Sequence, residues 1–127
     1  MAMKLGDFVR EARKQIKEWD ADTAKDQLDD GQVLLVDVRE LDEFDKGHLP
    51  GAICIPRGLL EGAADARTKY RDERLCRAQD EVILLYCQSG GRSALAALTL
   101  QQMGFSQAYN LAGGVEVWEA EDYPMEA

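Results

Sequence analysis

One segment, residues 82–103, constrains the fold more than any other part of the chain. A short apolar run, Val82–Tyr86, leads directly into the loop Cys87-Gln88-Ser89-Gly90-Gly91-Arg92, and a helix-forming run follows from Ser93 to Met103. The apolar run is too short for a helix and predicts a buried strand. Two adjacent glycines allow a tight loop whose backbone N–H groups point inward. The segment therefore predicts a strand, a loop and a helix, with a cysteine at the base of the loop.

The predicted loop combines a thiol with several sources of positive potential. The start of the following helix adds unpaired N–H groups and the positive end of its dipole. Arg92 adds a permanent positive charge. Such surroundings favour the nucleophilic thiolate form of Cys87. The loop is therefore predicted to bind an anion next to a reactive cysteine.

Short apolar runs alternate with helical segments through the rest of the chain. Strands are predicted at 17–19, 33–36, 52–55, 82–86 and 108–111. Helices are predicted at 3–16, 21–29, 40–46, 93–103 and 115–120, with one or two more within 57–79. This alternation predicts an α/β fold with a parallel sheet covered by helices on both faces. Ligands of such sheets bind at the carboxyl ends of the strands, which is where the cysteine loop lies.

Length and charge limit the classes of function. The 127 residues suit one domain, and the formal net charge of −9 argues against a nucleic-acid-binding surface and against docking on anionic lipid. No apolar stretch approaches the length of a membrane span, and the charged N-terminal segment differs from a signal peptide. We therefore expect a cytoplasmic protein that binds neither nucleic acid nor membrane.

The cysteine and histidine content argues against disulfides and metals. Cys54, Cys76 and Cys87 form an odd set without paired spacing, and His48 is the single histidine. A disulfide framework and a multi-histidine zinc site are therefore not expected, and neither is any cofactor. Cys54 and Cys76 are most simply core residues, although either could serve as a resolving thiol for Cys87.

Several separated motifs resemble those of the rhodanese-like sulfurtransferases. The first comprises Asp37-Val38-Arg39-Glu40, Glu43-Phe44, Gly47-His48-Leu49-Pro50-Gly51-Ala52 and Ile55-Pro56. The second is the loop with its flanks, Tyr86–Ser93, and the third is Gly113-Gly114 with Trp118, a core or pocket-wall residue. The resemblance implies one rhodanese-like domain at 17–121, which contains a mostly parallel five-stranded sheet with helices on both faces. An N-terminal helical extension (1–16) precedes this domain, and a C-terminal tail (122–127) follows it.

The resemblance also implies roles for individual residues. Cys87 would be the catalytic nucleophile that accepts sulfur. The substrate and persulfide would be bound by the loop residues Gln88, Ser89, Gly90, Gly91 and Arg92. Arg92 would bind the oxygens of the donor or help to hold the loop, and Gln88 and Ser89 would contribute side-chain contacts or only their backbone N–H groups. Asp37, Arg39 and His48 would give structural support to the neighbouring loops.

The function implied is transfer of a sulfane sulfur from thiosulfate or a persulfide to a thiol or cyanide, through a Cys87 persulfide. The six-residue loop is one residue shorter than that of the related phosphatases and arsenate reductases. A smaller loop suits the outer sulfur of a persulfide better than a whole tetrahedral oxyanion. An alternative is a sulfur-carrier or regulatory module without turnover, acting with a partner protein of a sulfur relay. The N-terminal helix would then serve docking or dimerisation rather than simple packing.

Overall fold

The computed structural model describes residues 2–127 as a five-stranded parallel sheet with helices on both faces. The strands are β1 (Lys17–Trp19), β2 (Val33–Asp37), β3 (Ile53–Cys54), β4 (Val82–Tyr86) and β5 (Gln107–Leu111). Their order across the sheet is β1-β5-β4-β2-β3, and every pairing is parallel. The predicted fold class is confirmed, and the strand that carries the cysteine is the central one.

The helices lie close to their predicted positions. They are α1 (Leu5–Arg13), α2 (Ala21–Asp30), α3 (Leu41–Asp45), α4 (Leu60–Ala64), α5 (Glu73–Cys76), α6 (Gly91–Gln102) and α7 (Gly114–Ala120). A 3₁₀ turn, Arg57–Leu59, precedes α4. The region 57–79 therefore holds this turn and two short helices. The helix after the cysteine loop begins at Gly91, two residues earlier than predicted.

Alternate side chains of β4 enter two hydrophobic clusters, one on each face of the sheet. Ile83 and Leu85 pack with the buried face of α6, whereas Leu84 and Tyr86 pack with Val115 and Trp118. Burial on both faces explains why β4 is a continuous apolar run rather than an alternating one.

Strand register brings the segments of the site together at one edge of the sheet. Asp37 at the end of β2 pairs with Tyr86 at the end of β4. The residues that follow, Val38 and Arg39 in one case and Cys87 and Gln88 in the other, therefore lie side by side. The next strand, β5, ends at the same edge with Asn110 and Leu111.

The N-terminal helix α1 packs against α6. Ala12 of α1 is fully buried, and a Cβ built on Gly91 would lie 3.6 Å from Val9 Cγ2. Met3, Leu5 and Phe8 remain more than half exposed. The extension therefore contributes one face to the molecule's core and leaves apolar side chains at the surface. Within residues 2–127, none of the helices combines the length and the apolar character that a bilayer crossing needs.

Candidate active site

Cys87 directly follows β4, and its sulfur faces the interior of the loop. The Sγ atom accepts hydrogen bonds from the backbone N–H of Gly90 at 3.2 Å and from the hydroxyl of Ser93 at 3.4 Å. The residue is only 1% exposed. Hydrogen-bond donors directed at one buried sulfur stabilise negative charge on it.

The conformation of Gly90 creates the first of these contacts. Its φ of +99° lies in the left-handed region, where glycine is favoured, and it is the residue that caps α6. A Cβ built on Gly90 would also lie 3.2 Å from the backbone N of Gly113. A glycine here is therefore required both by backbone conformation and by the close approach of another loop.

The start of α7 holds the other side of the loop. The N–H of Val115 donates to the carbonyl of Cys87 at 3.0 Å, and that of Glu116 donates to the carbonyl of Gln88 at 3.1 Å. A trans peptide directs its C=O and N–H in opposite directions. The N–H groups of Gln88 and Ser89 are consequently turned away from α7.

A chain of polar contacts connects the N-terminal helix to the same loop. Asn110, which is 1% exposed, donates through Nδ2 to the carbonyl of Gly90 at 3.2 Å and to Glu18 Oε2 at 2.7 Å. Arg13 of α1 donates to Glu18 Oε1 at 3.2 Å. These contacts fix the position of Gly90, whose N–H reaches the sulfur.

Arg39 and Asp37 form a buried ion pair beside the loop. Arg39 Nη2 lies 2.8 Å from Asp37 Oδ2 and donates to the carbonyl of Gly47 at 2.7 Å. Its Nη1 donates to Gln88 Oε1 at 3.3 Å. The guanidinium thus joins the end of β2, the turn before His48 and the cysteine loop.

His48 lies in a turn that several contacts hold in place. Its backbone N–H and C=O both pair with the backbone of Glu126 at 2.8 Å. Its ring stacks on Phe44 with centroids 3.8 Å apart, and its Nδ1 lies 3.0 Å from the carbonyl of Leu49. The N–H of Leu49 in turn donates to the Tyr86 hydroxyl at 3.1 Å. Burial raises the pKa of Tyr86, so this hydroxyl stays neutral.

Arg92 pairs with an acidic residue of α3. Its Nη1 and Nη2 lie 2.8 and 3.0 Å from the two carboxylate oxygens of Glu43. This bidentate hydrogen bonding from Arg92 lowers the pKa of Glu43 to about 2. The guanidinium is therefore tied to α3 at the edge of the loop.

Two cavities adjoin the loop. The first, of about 290 Å³, is bordered by Gln88 and by charged side chains from three segments, namely Arg39, Glu43, Lys46 and Glu119. The second, of about 190 Å³, is bordered by Ser89, Gly90 and Gly91 on one side and by Val9, Arg13 and Asn110 on the other. The extension therefore forms part of the wall beside the loop.

The other two cysteines are free and lie on other elements. Cys54 ends β3 with its Sγ 3.6 Å from the Arg39 carbonyl, and burial raises its pKa to about 11. Cys76 is buried in α5. In the described part of the chain, no three His, Cys, Asp or Glu side chains are grouped as a metal site.

The sequence alone indicates no role for three residues of the site, Ser93, Glu43 and Asn110. Ser93 directly follows the loop, and its hydroxyl in the first turn of a helix was an available signal. Glu43 stands out in the sequence only as part of the Glu43-Phe44 motif. Asn110 offered only the weak signal of a polar residue in a predicted strand, since its partners are distant in sequence.

Comparison with known proteins gives consistent matches. The family model described as "Rhodanese-like domain" matches residues 20–121. A protein of Allochromatium vinosum named sulfurtransferase is 32% identical over 113 residues, which cover 88% of this chain and 96% of that one. YrkF of Bacillus subtilis, named as a candidate sulfur carrier protein, is 32% identical over 116 residues, or 91% of this chain. The chain spans 57% of the length of YrkF.

A solved structure extends the likeness to the N-terminal helix. RPA3614 of Rhodopseudomonas palustris, described as a protein of unknown function and possible tyrosine phosphatase, superimposes with a TM-score of 0.92 at 29% identity. The match covers 99% of this chain and 96% of that one, so α1 lies within it. The range matched by the family model contains the loop residues 87–92 and Glu43.

Proposed function

The chain belongs to the rhodanese-like family, and we propose that it is a sulfurtransferase that works through a persulfide on Cys87. Relatives named as a sulfurtransferase and as a sulfur carrier support sulfur transfer in general. The observation that carries the proposal is the pair of hydrogen bonds from Gly90 and Ser93 to the Cys87 sulfur. Both donors contact this sulfur at the carboxyl end of the central strand, β4.

The first step loads the cysteine. The Cys87 thiolate attacks the outer sulfur of the donor and forms a new S–S bond. The donor's own S–S bond breaks, and its electron pair leaves on sulfite when thiosulfate is the donor, or on a thiolate when a persulfide is. Cys87 then carries one additional sulfur, and no external oxidant or reductant is needed.

The second step unloads it. A thiolate or cyanide attacks the outer sulfur of the Cys87 persulfide, and the bond between the two sulfurs breaks. The electron pair returns to Cys87 as its thiolate. The N–H of Gly90 and the hydroxyl of Ser93 stabilise the negative charge on this sulfur before and after transfer.

Mass spectrometry tests the proposal directly. Incubation with thiosulfate or a small persulfide should add the mass of one sulfur atom, and Cys87→Ser should abolish the gain. Cys76→Ala, which removes a free cysteine in α5, should retain it. The proposal would be refuted if no sulfane donor loaded sulfur onto Cys87. It would also be refuted if Cys87 hydrolysed an aryl phosphate and did not load sulfur.

A second candidate is a carrier that holds sulfur for a partner protein. Its support is the similarity to YrkF together with the exposed Leu5 and Phe8 of α1 and Met3 just before that helix. Stable loading of Cys87 without turnover to cyanide or thiols would favour the carrier. Sustained turnover with thiosulfate and cyanide would favour the enzyme.

A further inference from the structure

We propose that Glu43 determines donor selectivity at this site by neutralising Arg92, so that an uncharged persulfide is favoured over the thiosulfate dianion. The selectivity rests on the proposed transfer through Cys87. Glu43 would not touch the reacting sulfurs; it would act through the arginine at the end of the loop.

The geometry already provides Arg92 with an anion from the protein itself. Both terminal nitrogens of its guanidinium bind the Glu43 carboxylate in a bidentate arrangement, the strongest form of this contact. The carboxylate is also held from its own helix, because Glu43 Oε1 accepts from the N–H of Glu40 at 3.1 Å. A donor's oxygens that approach these nitrogens therefore meet an anchored carboxylate beside them.

The ionisation of Glu43 supports this assignment. Its pKa is held at about 2, chiefly by hydrogen bonding from Arg92. The carboxylate is consequently charged throughout the neutral range, and the positive charge of Arg92 is offset there.

The remaining charges around the first cavity also balance. Arg39 is paired with buried Asp37, and the cavity's border carries Lys46 and Glu119. The cavity's border thus carries two cations, Arg39 and Lys46, and two anions, Glu43 and Glu119. A site that attracts a dianion would present an excess of positive potential, and here the whole chain has a formal net charge of −9.

The same bond changes take place with either donor, but the charges differ. Thiosulfate brings two negative charges past Glu43 and releases sulfite. An uncharged persulfide, R–S–SH, transfers its outer sulfur and proton to Cys87 and releases a thiolate. The carboxylate of Glu43 therefore opposes approach of the first donor and leaves that of the second almost unaffected.

Glu43→Gln tests this selectivity in the full-length protein. The amide keeps the shape of the side chain but releases the charge of Arg92. Loading of Cys87 from thiosulfate should become about tenfold faster at low salt, whereas loading from 2-hydroxyethyl persulfide should change by less than about twofold. The gain should shrink as salt rises from about 20 mM to about 500 mM, because screening removes a charge effect.

Two variants serve as matched controls. Glu43→Asp keeps the charge and should not accelerate thiosulfate loading. Glu73→Gln changes the net charge equally and frees arginines, since Glu73 pairs with Arg71 and Arg77 at 2.9 Å. Glu73 borders a cavity with Val33 and Leu34 at the opposite edge of the sheet, so its variant should load at the original rate.

Two results would overturn the selectivity. Glu43→Gln could slow loading from both donors equally, which is the mark of a structural role, or leave both unchanged. If the variant does not fold, the wild-type protein decides. Its loading from thiosulfate should fall by no more than about twofold across the same salt range, and a tenfold fall would reveal an attractive anion site. Failure of both donors to load Cys87 would instead refute the proposed function.

Discussion

At the scale of single residues, the sulfur of Cys87 accepts hydrogen bonds from two donors in adjacent parts of one segment. Gly90 contributes a backbone N–H that only a left-handed turn directs at Cys87. Ser93 contributes a hydroxyl from the first turn of α6 and is fully buried. A buried hydroxyl that donates to sulfur is worth most when the sulfur is anionic.

Ser93→Ala should therefore slow sulfur loading of Cys87. Loss of one hydrogen bond to a charged acceptor costs about 1.5 kcal/mol, or roughly a tenfold lower rate. The rate is followed by mass spectrometry after rapid quenching, and α6 should remain intact because alanine favours helix. Ser106→Ala is the control. The Ser106 hydroxyl donates to the Gln79 carbonyl at 3.2 Å, and neither residue belongs to the cysteine loop. An unchanged rate in Ser93→Ala would show that the hydroxyl does not assist the thiolate.

The sequence predicts residues whose role is local better than those whose role depends on distant contacts. Cys87 and its loop stand out because strand, glycines and helix follow one another directly. Glu43 and Arg92 are 49 residues apart, and their pairing depends on how α3 lies against the loop. Asn110 is similarly hidden, because its partners Glu18 and Gly90 come from β1 and from the loop after β4.

At the scale of elements, α7 acts as a brace for the cysteine loop. The N–H groups of its first turn donate to the carbonyls of Cys87 and Gln88. The helix start and the loop are so close that a side chain at Gly114 has no room. A Cβ built there would lie 2.4 Å from the Cys87 carbonyl oxygen, and the φ of Gly114 is +60°. The closing motif of the sequence thus has a steric cause.

Gly114→Ala should move the loop and destabilise the fold. The clash with the backbone and the unfavourable φ together cost about 2–4 kcal/mol. Gly104→Ala is the matched control, because Gly104 has a φ of +99° but nothing within 4 Å of its built Cβ. Its cost should be near 1 kcal/mol, from conformation alone. Urea unfolding measures both, and equal losses would contradict a steric role for Gly114.

The sequence predicts elements well where apolar periodicity is strong. Strands β2 and β4 are recovered because each contains a continuous apolar run, and α2 is recovered from Asp20 as its N-cap and Gly31 at its end. The region 57–79 is less clear because tertiary and local polar contacts shape it. Thr68 Oγ1 binds the Gly62 carbonyl at 2.6 Å, and the Asp72 side chain caps α5. Helix α6 starts earlier than predicted because Gly90, in the left-handed conformation, caps it. In the sequence, the pair Gly90-Gly91 is equally compatible with a longer loop.

At the scale of the whole molecule, the ion pair between α3 and α6 links site chemistry to global stability. Glu43 has a folded-state pKa of about 2, below that of an unfolded glutamate near 4.3. A lowered pKa contributes stability that is present above the unfolded value and is lost as the pH falls towards the folded one.

The difference in unfolding free energy between wild type and Glu43→Gln should therefore depend on acidity. We expect about 1 kcal/mol at neutral pH, a modest value because the Glu43 side chain is 32% exposed and solvent screens the pair. The difference should shrink between about pH 5 and about pH 2 as the carboxylate is protonated. Urea titrations across this range measure it, and a constant difference would show that the pair adds no pH-dependent stability.

The outermost strands, β1 and β3, are only three and two residues long. Edge strands this short present few unpaired backbone N–H and C=O groups, so a strand of another molecule has little to pair with. A second copy that approaches either side of the sheet therefore meets only two or three residues with which its backbone could pair.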